Sequence, residues 1–251
     1  MYIIYVVCMN APEYLYHYTS TDALMSILQS ISSCREGDDT QYITLRATHA
    51  SYLNDKVEGV LLKKALEELG QRSDILNVLE CCSGYPFVFS FSELEDDLNM
   101  WRCYAAEATG VAIGFDLRIP EFDLILKKCE YITQKKLVEK YKDLKCMRPG
   151  YDCTQLARVL QDLFCYKDVA FEAENEWRFI EQNVPHRYFL RSKTIVPYVE
   201  IKVPVSAIVS ITFGPLADYE RNKFSVCTIL KGKVGDMLKG IELKKSNVPL
   251  R

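Results

Sequence analysis

Trp177-Arg178-Phe179-Ile180, Tyr198-Val199-Glu200-Ile201-Lys202-Val203 and Ile208-Val209-Ser210-Ile211-Thr212-Phe213 are three strand patterns in succession, with no helical pattern between them. Runs rich in Val, Ile, Phe and Tyr with period-two alternation form strands. Upstream, strands and helices mix. Tyr14–Tyr18 reads as a short aromatic strand, and Ala23–Gln29 as a helix with Leu24, Ile27 and Leu28 on one face. Ile43–Thr48 is a strand, Val57–Leu69 a long helix, Phe87–Phe91 a buried strand and Leu98–Ala106 a short helix. Gly110–Phe115 and Leu124–Ile132 are two further strands. Thr133–Lys167 reads as helical in two pieces broken at Arg148-Pro149-Gly150, the second being Asp152–Leu163, and Arg221–Lys231 is a closing helix. This order does not alternate regularly enough for a parallel doubly wound sheet. The expected class is α+β, with a mixed or antiparallel sheet and flanking helices. No repeat, linker or composition break divides the chain, so residues 1–251 are expected to form one domain. Residues 1–12 would be an N-terminal extension or strand, and 133–167 a helical insert.

At 251 residues, 49% hydrophobic and 26% charged, the chain can bury a substantial core. Its formal net charge of -3 argues against a large nucleic-acid footprint, which needs a surplus of Lys and Arg on one face. The ten cysteines have no C-x-x-C spacing, and only three histidines accompany them. That pattern supports neither a zinc site nor a disulfide framework. Reduced, buried thiols in a reducing, cytoplasmic compartment are the expectation. Residues Met1–Met9 are apolar but too few to span a bilayer, and no later run is long enough. They also lack the basic start and small-residue cleavage site of a signal peptide.

The polar chemistry gathers in short blocks. In Tyr16-His17-Tyr18-Thr19-Ser20 an imidazole ends a strand and hydroxyls open a helix, a junction suited to a ribose hydroxyl or a phosphate. Its plainer reading is a packed histidine followed by a helix cap. In Phe87-Val88-Phe89-Ser90-Phe91-Ser92-Glu93, Ser90 and Ser92 share one side of a strand and Phe89 and Phe91 the other. Trp101 and Tyr104 lie three apart, on one helix face, which either stacks on a flat ring or packs in the core. In Glu174-Asn175-Glu176-Trp177-Arg178-Phe179 alternation places Glu174, Glu176 and Arg178 together, as an ion pair or around a site carboxylate. Neither a G-x-S-x-G elbow, a G-x-G-x-x-G loop nor a Walker-type pattern occurs, so serine hydrolase, Rossmann and P-loop readings lack support.

These blocks, together with Ala47–Asp55, Met100–Tyr104, Gly110–Phe115 and the tail Ser246–Arg251, resemble in order the motifs of a bacterial family, domain of unknown function 2971. The N-terminal Met1–Pro12 stretch and the cysteine-rich Cys129–Cys165 stretch depart from its usual pattern. The chain order also resembles, more distantly, ADP-ribosyltransferase folds of the DarT type. That resemblance implies a split, mostly antiparallel sheet whose cleft holds NAD as substrate, with no metal. It implies that Glu176 is the catalytic carboxylate and that His17 holds the adenosine-side ribose. Trp101 or Tyr104 would stack on nicotinamide, Arg102 or Arg178 would meet the pyrophosphate, and Tyr18, Thr19, Ser90 and Ser92 would complete the cofactor site. Such a carboxylate stabilises the oxocarbenium-like centre formed as the nicotinamide–ribose bond breaks. The implied activity is ADP-ribosyl transfer to a macromolecule by a toxin or phage-defence effector. The alternatives are an NAD glycohydrolase, and a non-enzymatic nucleotide-sensing or interaction domain in a defence or stress system.

Overall fold

The computed structural model describes residues 11–33, 40–53, 64, 68, 86–141, 164–182, 184–235 and 240–250. The expected strand at Tyr2–Val7, the helix at Val57–Leu69 and the second helical piece at Asp152–Leu163 lie outside them, the helix at Val57–Leu69 apart from Lys64 and Glu68. The class is α+β with a mixed, mostly antiparallel sheet. The chain divides into two compact units, one drawn from 1–45, 91–124 and 201–251, the other from 46–90 and 125–200.

In the first unit β1 (Tyr14–Thr19) pairs antiparallel with β5 (Val111–Asp116), from Tyr14↔Asp116 to Thr19↔Val111. Its other edge meets β4 (Phe87–Ser92) through Tyr16↔Ser92. Beyond β5 come β12 (Ile208–Phe213), antiparallel, and β13 (Glu242–Lys245), parallel to β12. A short β2 (Ser32–Ser33) pairs with the start of β3 (Gln41–His49). Directly opposed residues share a face, so the register sorts the side chains. One face carries Leu15, His17, Ile113, Phe115, Ile211 and Phe213, and Phe91 and Phe122 pack with Phe115 there. The other carries Tyr16, Tyr18, Ala112, Gly114, Ser210 and Thr212. Helix α1 (Thr21–Gln29) buries Leu24, Ile27 and Leu28, as its spacing dictates, and Ser20 caps it by accepting from the Ala23 N–H at 3.1 Å. Helix α2 (Leu98–Tyr104) covers the second face with Met100 and Trp101.

In the second unit β6 (Leu126–Lys128) pairs antiparallel with β9 (Glu176–Glu181). A parallel pair joins β7 (Glu130–Tyr131) to β8 (Tyr166–Lys167). The single strand expected over Leu124–Ile132 is therefore two, divided at Cys129, each with its own partner. Helix α3 (Gln134–Tyr141) begins the expected helical insert, but the insert's last residues, Tyr166 and Lys167, are strand. A hairpin absent from the sequence reading joins β10 (Arg187–Arg191) to β11 (Thr194–Pro204). The chain closes on α4 (Tyr219–Val234), longer than expected, and β13.

Helix α2 and its cap Ala105 are followed by three successive residues with positive φ, Ala106, Glu107 and Ala108. This turn brings the Ala108 N–H to the Trp101 carbonyl at 2.9 Å and the Gly110 N–H to the Ala105 carbonyl at 2.8 Å. A Cβ at Gly110 would sit 2.1 Å from the Thr19 carbonyl oxygen, which is backbone and cannot swing away. A Cβ at Gly232, inside α4, meets nothing within 4 Å. Gly110→Ala is expected to lower the unfolding free energy by more than about 2 kcal/mol. Gly232→Ala should raise it by about 0.5–1 kcal/mol through helix propensity. Urea unfolding of the two variants beside the parent checks both signs.

Candidate functional site

Four charged side chains meet in the second unit. Glu176 and Arg178 are two apart on β9 and so face the same way, as the alternation predicts. Glu174 does not share that strand. It ends a turn, Val169–Glu174, capped by Asp168, and Asn175 in the left-handed region breaks the alternation before β9 begins. Glu174 still reaches the cluster, through Lys167 at the end of β8.

Glu176 Oε1 accepts from Arg178 Nε at 2.6 Å, and Oε2 accepts from Arg178 Nη2 at 2.9 Å. Lys167 Nζ lies 2.8 Å from the same Oε2 and 2.5 Å from Glu174 Oε2. Arg178 Nη1 donates to the Phe164 carbonyl at 2.7 Å. The side chains of Arg178 and Lys167 are 1% and 2% exposed, and that of Glu176 7%. Two cations and two carboxylates thus meet here among the described residues. The backbone joins in: the Glu176 N–H donates to the Tyr131 hydroxyl at 2.8 Å, and the Cys129 N–H to the Glu176 carbonyl at 2.8 Å. Burial alone would push the Glu176 carboxyl up. Arg178 and Lys167 outweigh it and hold the group down at about 2. Burial pushes the Cys129 thiol and the Tyr131 phenol up.

The other candidates divide between the units. His17 is half-buried on the apolar face of β1, its ring 6.4 Å from that of Phe91. Thr19 is half-buried at the end of the same strand. Tyr18 points to the opposite face. Its hydroxyl donates to the Leu94 carbonyl at 3.0 Å and accepts from the Asp97 N–H at 3.2 Å, and its ring stands edge-on to Trp101 at 4.8 Å. Trp101 has no exposed surface, and Tyr104 packs against the same cluster. Their shared helix face is therefore core. Trp101 Nε1 donates to Asp96 Oδ1 at 2.6 Å. Asp96 also accepts from the Ser246 hydroxyl at 2.6 Å and the Asn247 N–H at 2.8 Å, so one carboxylate ties the helix to the tail. Ser92 is buried, its hydroxyl accepting from the Leu94 N–H at 3.1 Å; Ser90, in the second unit, is half-buried. Arg102 is exposed on α2.

The fold thus joins Tyr18, Trp101 and Tyr104 in one cluster and Glu176 with Arg178 in another. It sets His17 and Trp101 on opposite faces of one sheet. Sequence reasoning missed Lys167 and Asp96 as organising residues. Their signal was faint, a lone lysine after Phe164-Cys165-Tyr166 and one acid of an acidic run before a helix. Among the described residues, no group of three or more His, Cys, Asp or Glu is placed to hold a metal ion. No helix there is long and apolar enough to cross a membrane.

Residues 100–179 match the family described as Protein of unknown function (DUF2971). The match covers less than half of the chain. It runs from α2 to β9, and so contains Trp101, Lys167, Glu174, Glu176 and Arg178, while His17, Ser90 and Ser92 fall outside it. No curated protein and no solved structure matches the chain.

Glu176→Gln should cost roughly 3–5 kcal/mol, because the cations it neutralises stay buried. The folded carboxyl titrates below its ordinary value of 4.5, so its contribution is complete above that pH and lost as the pH falls toward about 2. Melting curves from pH 7 to pH 2 should show the parent losing stability across that window. Glu176→Gln, already destabilised, should lack that component of the slope.

Proposed function

We propose that this chain is a non-enzymatic interaction domain, rather than an NAD-dependent ADP-ribosyltransferase or an NAD glycohydrolase. One observation carries the reading: both oxygens of Glu176 are already taken by two buried cations, Arg178 and Lys167. A carboxylate that serves a ribose hydroxyl or an oxocarbenium centre needs an oxygen open to the substrate. Freeing one here breaks a bond to a buried cation, at a cost of several kcal/mol. Of the two aromatics implied for nicotinamide, Trp101 is closed as well, fully buried with its indole N–H held by Asp96, while Tyr104 is half-buried against the same cluster. Glu176 and Trp101 do structural work, and what remains to the surface is recognition.

Incubation with NAD labelled on the adenine side, with and without cell lysate, tests this. Neither transferred label nor released nicotinamide should rise above the protein-free control. Transfer or hydrolysis that disappears in Glu176→Gln while the melting temperature holds would overturn the reading.

A further inference from the structure

The hairpin β10–β11 has two unlike faces. In its register Arg187↔Tyr198 and Phe189↔Val196 share one side, and Tyr188↔Pro197 and Leu190↔Ile195 the other. The first side is covered at its centre, where Val196 has no exposed surface and Arg46 lies 5.4 Å above the Phe189 ring and 5.1 Å above the Tyr198 ring, while Arg187 and Arg191 at its two ends are exposed. The second is open, with Tyr188 62%, Leu190 70% and Ile195 65% exposed. Among the described residues β10 pairs only with β11 and ends its sheet. Alternate N–H and C=O groups along its outer edge therefore face away from any described strand, a template for an added strand.

Charge selects the occupant. In a chain of net charge -3, residues 184–199 carry Arg187, Arg191 and Lys193 and neither Asp nor Glu. Arg187 pairs with Glu200 at 2.9 Å yet keeps 68% of its side chain exposed, and Arg191 reaches the Tyr52 carbonyl with one nitrogen. A second copy added antiparallel about Phe189 would set Arg187 of each copy opposite Arg191 of the other, a like-charge pairing that disfavours self-association. The same two guanidiniums favour an acidic strand.

We propose that the outer edge of β10 docks an extended peptide segment of another protein, in which acidic residues flank an apolar–x–apolar core. Two acids would lie opposite Arg191 and Arg187, and two apolar residues would extend the Leu190 and Tyr188 face. This names a partner for the interaction-domain reading and rests on it for its meaning, though the binding itself is scored apart from NAD turnover.

The probe is a short fluorescent peptide with the core Glu-Val-Thr-Val-Glu, titrated by anisotropy into the whole protein. Controls are the Lys-Val-Thr-Val-Lys peptide and an acidic peptide with proline in place of the Val opposite Leu190, whose missing N–H removes a ladder bond. The acidic peptide should bind at least about tenfold tighter than either control, a difference of ~1.4 kcal/mol. Added salt should weaken it. Arg187→Glu with Arg191→Glu should reverse the charge preference, and Leu190→Asn should weaken binding at unchanged melting temperature. No binding, equal binding of the acidic and basic peptides, or a dimer in light scattering that Leu190→Asn dissolves would overturn the proposal. NAD turnover on the same sample separates the two failures: turnover with peptide binding sinks only the non-enzymatic reading, and no turnover without peptide binding sinks only the docking edge.

Discussion

Arg178 grips Glu176 through two nitrogens, and Lys167 holds the same carboxylate from β8 while also holding Glu174. The residue before β9 takes a left-handed conformation so that Glu174 can turn back to Lys167. Tyr131 and Cys129 pair with the Glu176 backbone and seat β7 and the end of β6 beside β9. Taking one member away leaves a charge in a place water does not reach, and that is where the energy of such clusters resides.

The first unit uses a neutral-to-charged hub in the same manner. Asp96 gathers the indole of Trp101, the hydroxyl of Ser246 and the backbone of Asn247, and so fixes the tail, whose Val248 and Leu250 pack on the Trp101 cluster. In both units one carboxylate gathers several donors, Glu176 from Arg178 and Lys167 and Asp96 from Trp101, Ser246 and Asn247. The family match, from Met100 to Phe179, contains Trp101 and the whole Glu176 cluster, while Asp96, Ser246 and Asn247 lie outside it.

Much of this was legible from residue order. Strong alternation of β-branched and aromatic residues marks β4, β5, β11 and β12, and helical spacing with Ser20 as cap marks α1. The failures have local causes. β10 escaped notice because its turn, Ser192-Lys193, adopts positive φ at both positions without the Asn or Gly that usually advertises such a turn. β6 and β7 read as one strand because only their different partners divide them. Lys167 looked like the end of a helix because a lysine's burial depends on carboxylates supplied from elsewhere. The opposite placement of His17 and Tyr18 follows from period-two alternation, which a resemblance based on motif order does not weigh.

A double-mutant cycle on Glu176→Gln and Lys167→Met, read by urea unfolding at neutral pH, tests the central claim most directly. If the carboxylate is a structural member of the buried quartet, the two changes must be coupled, with the double variant more stable than the sum of the single losses predicts by at least about 1.5 kcal/mol. Additive losses within about 0.3 kcal/mol would show that Glu176 does not depend on Lys167 and would contradict the account.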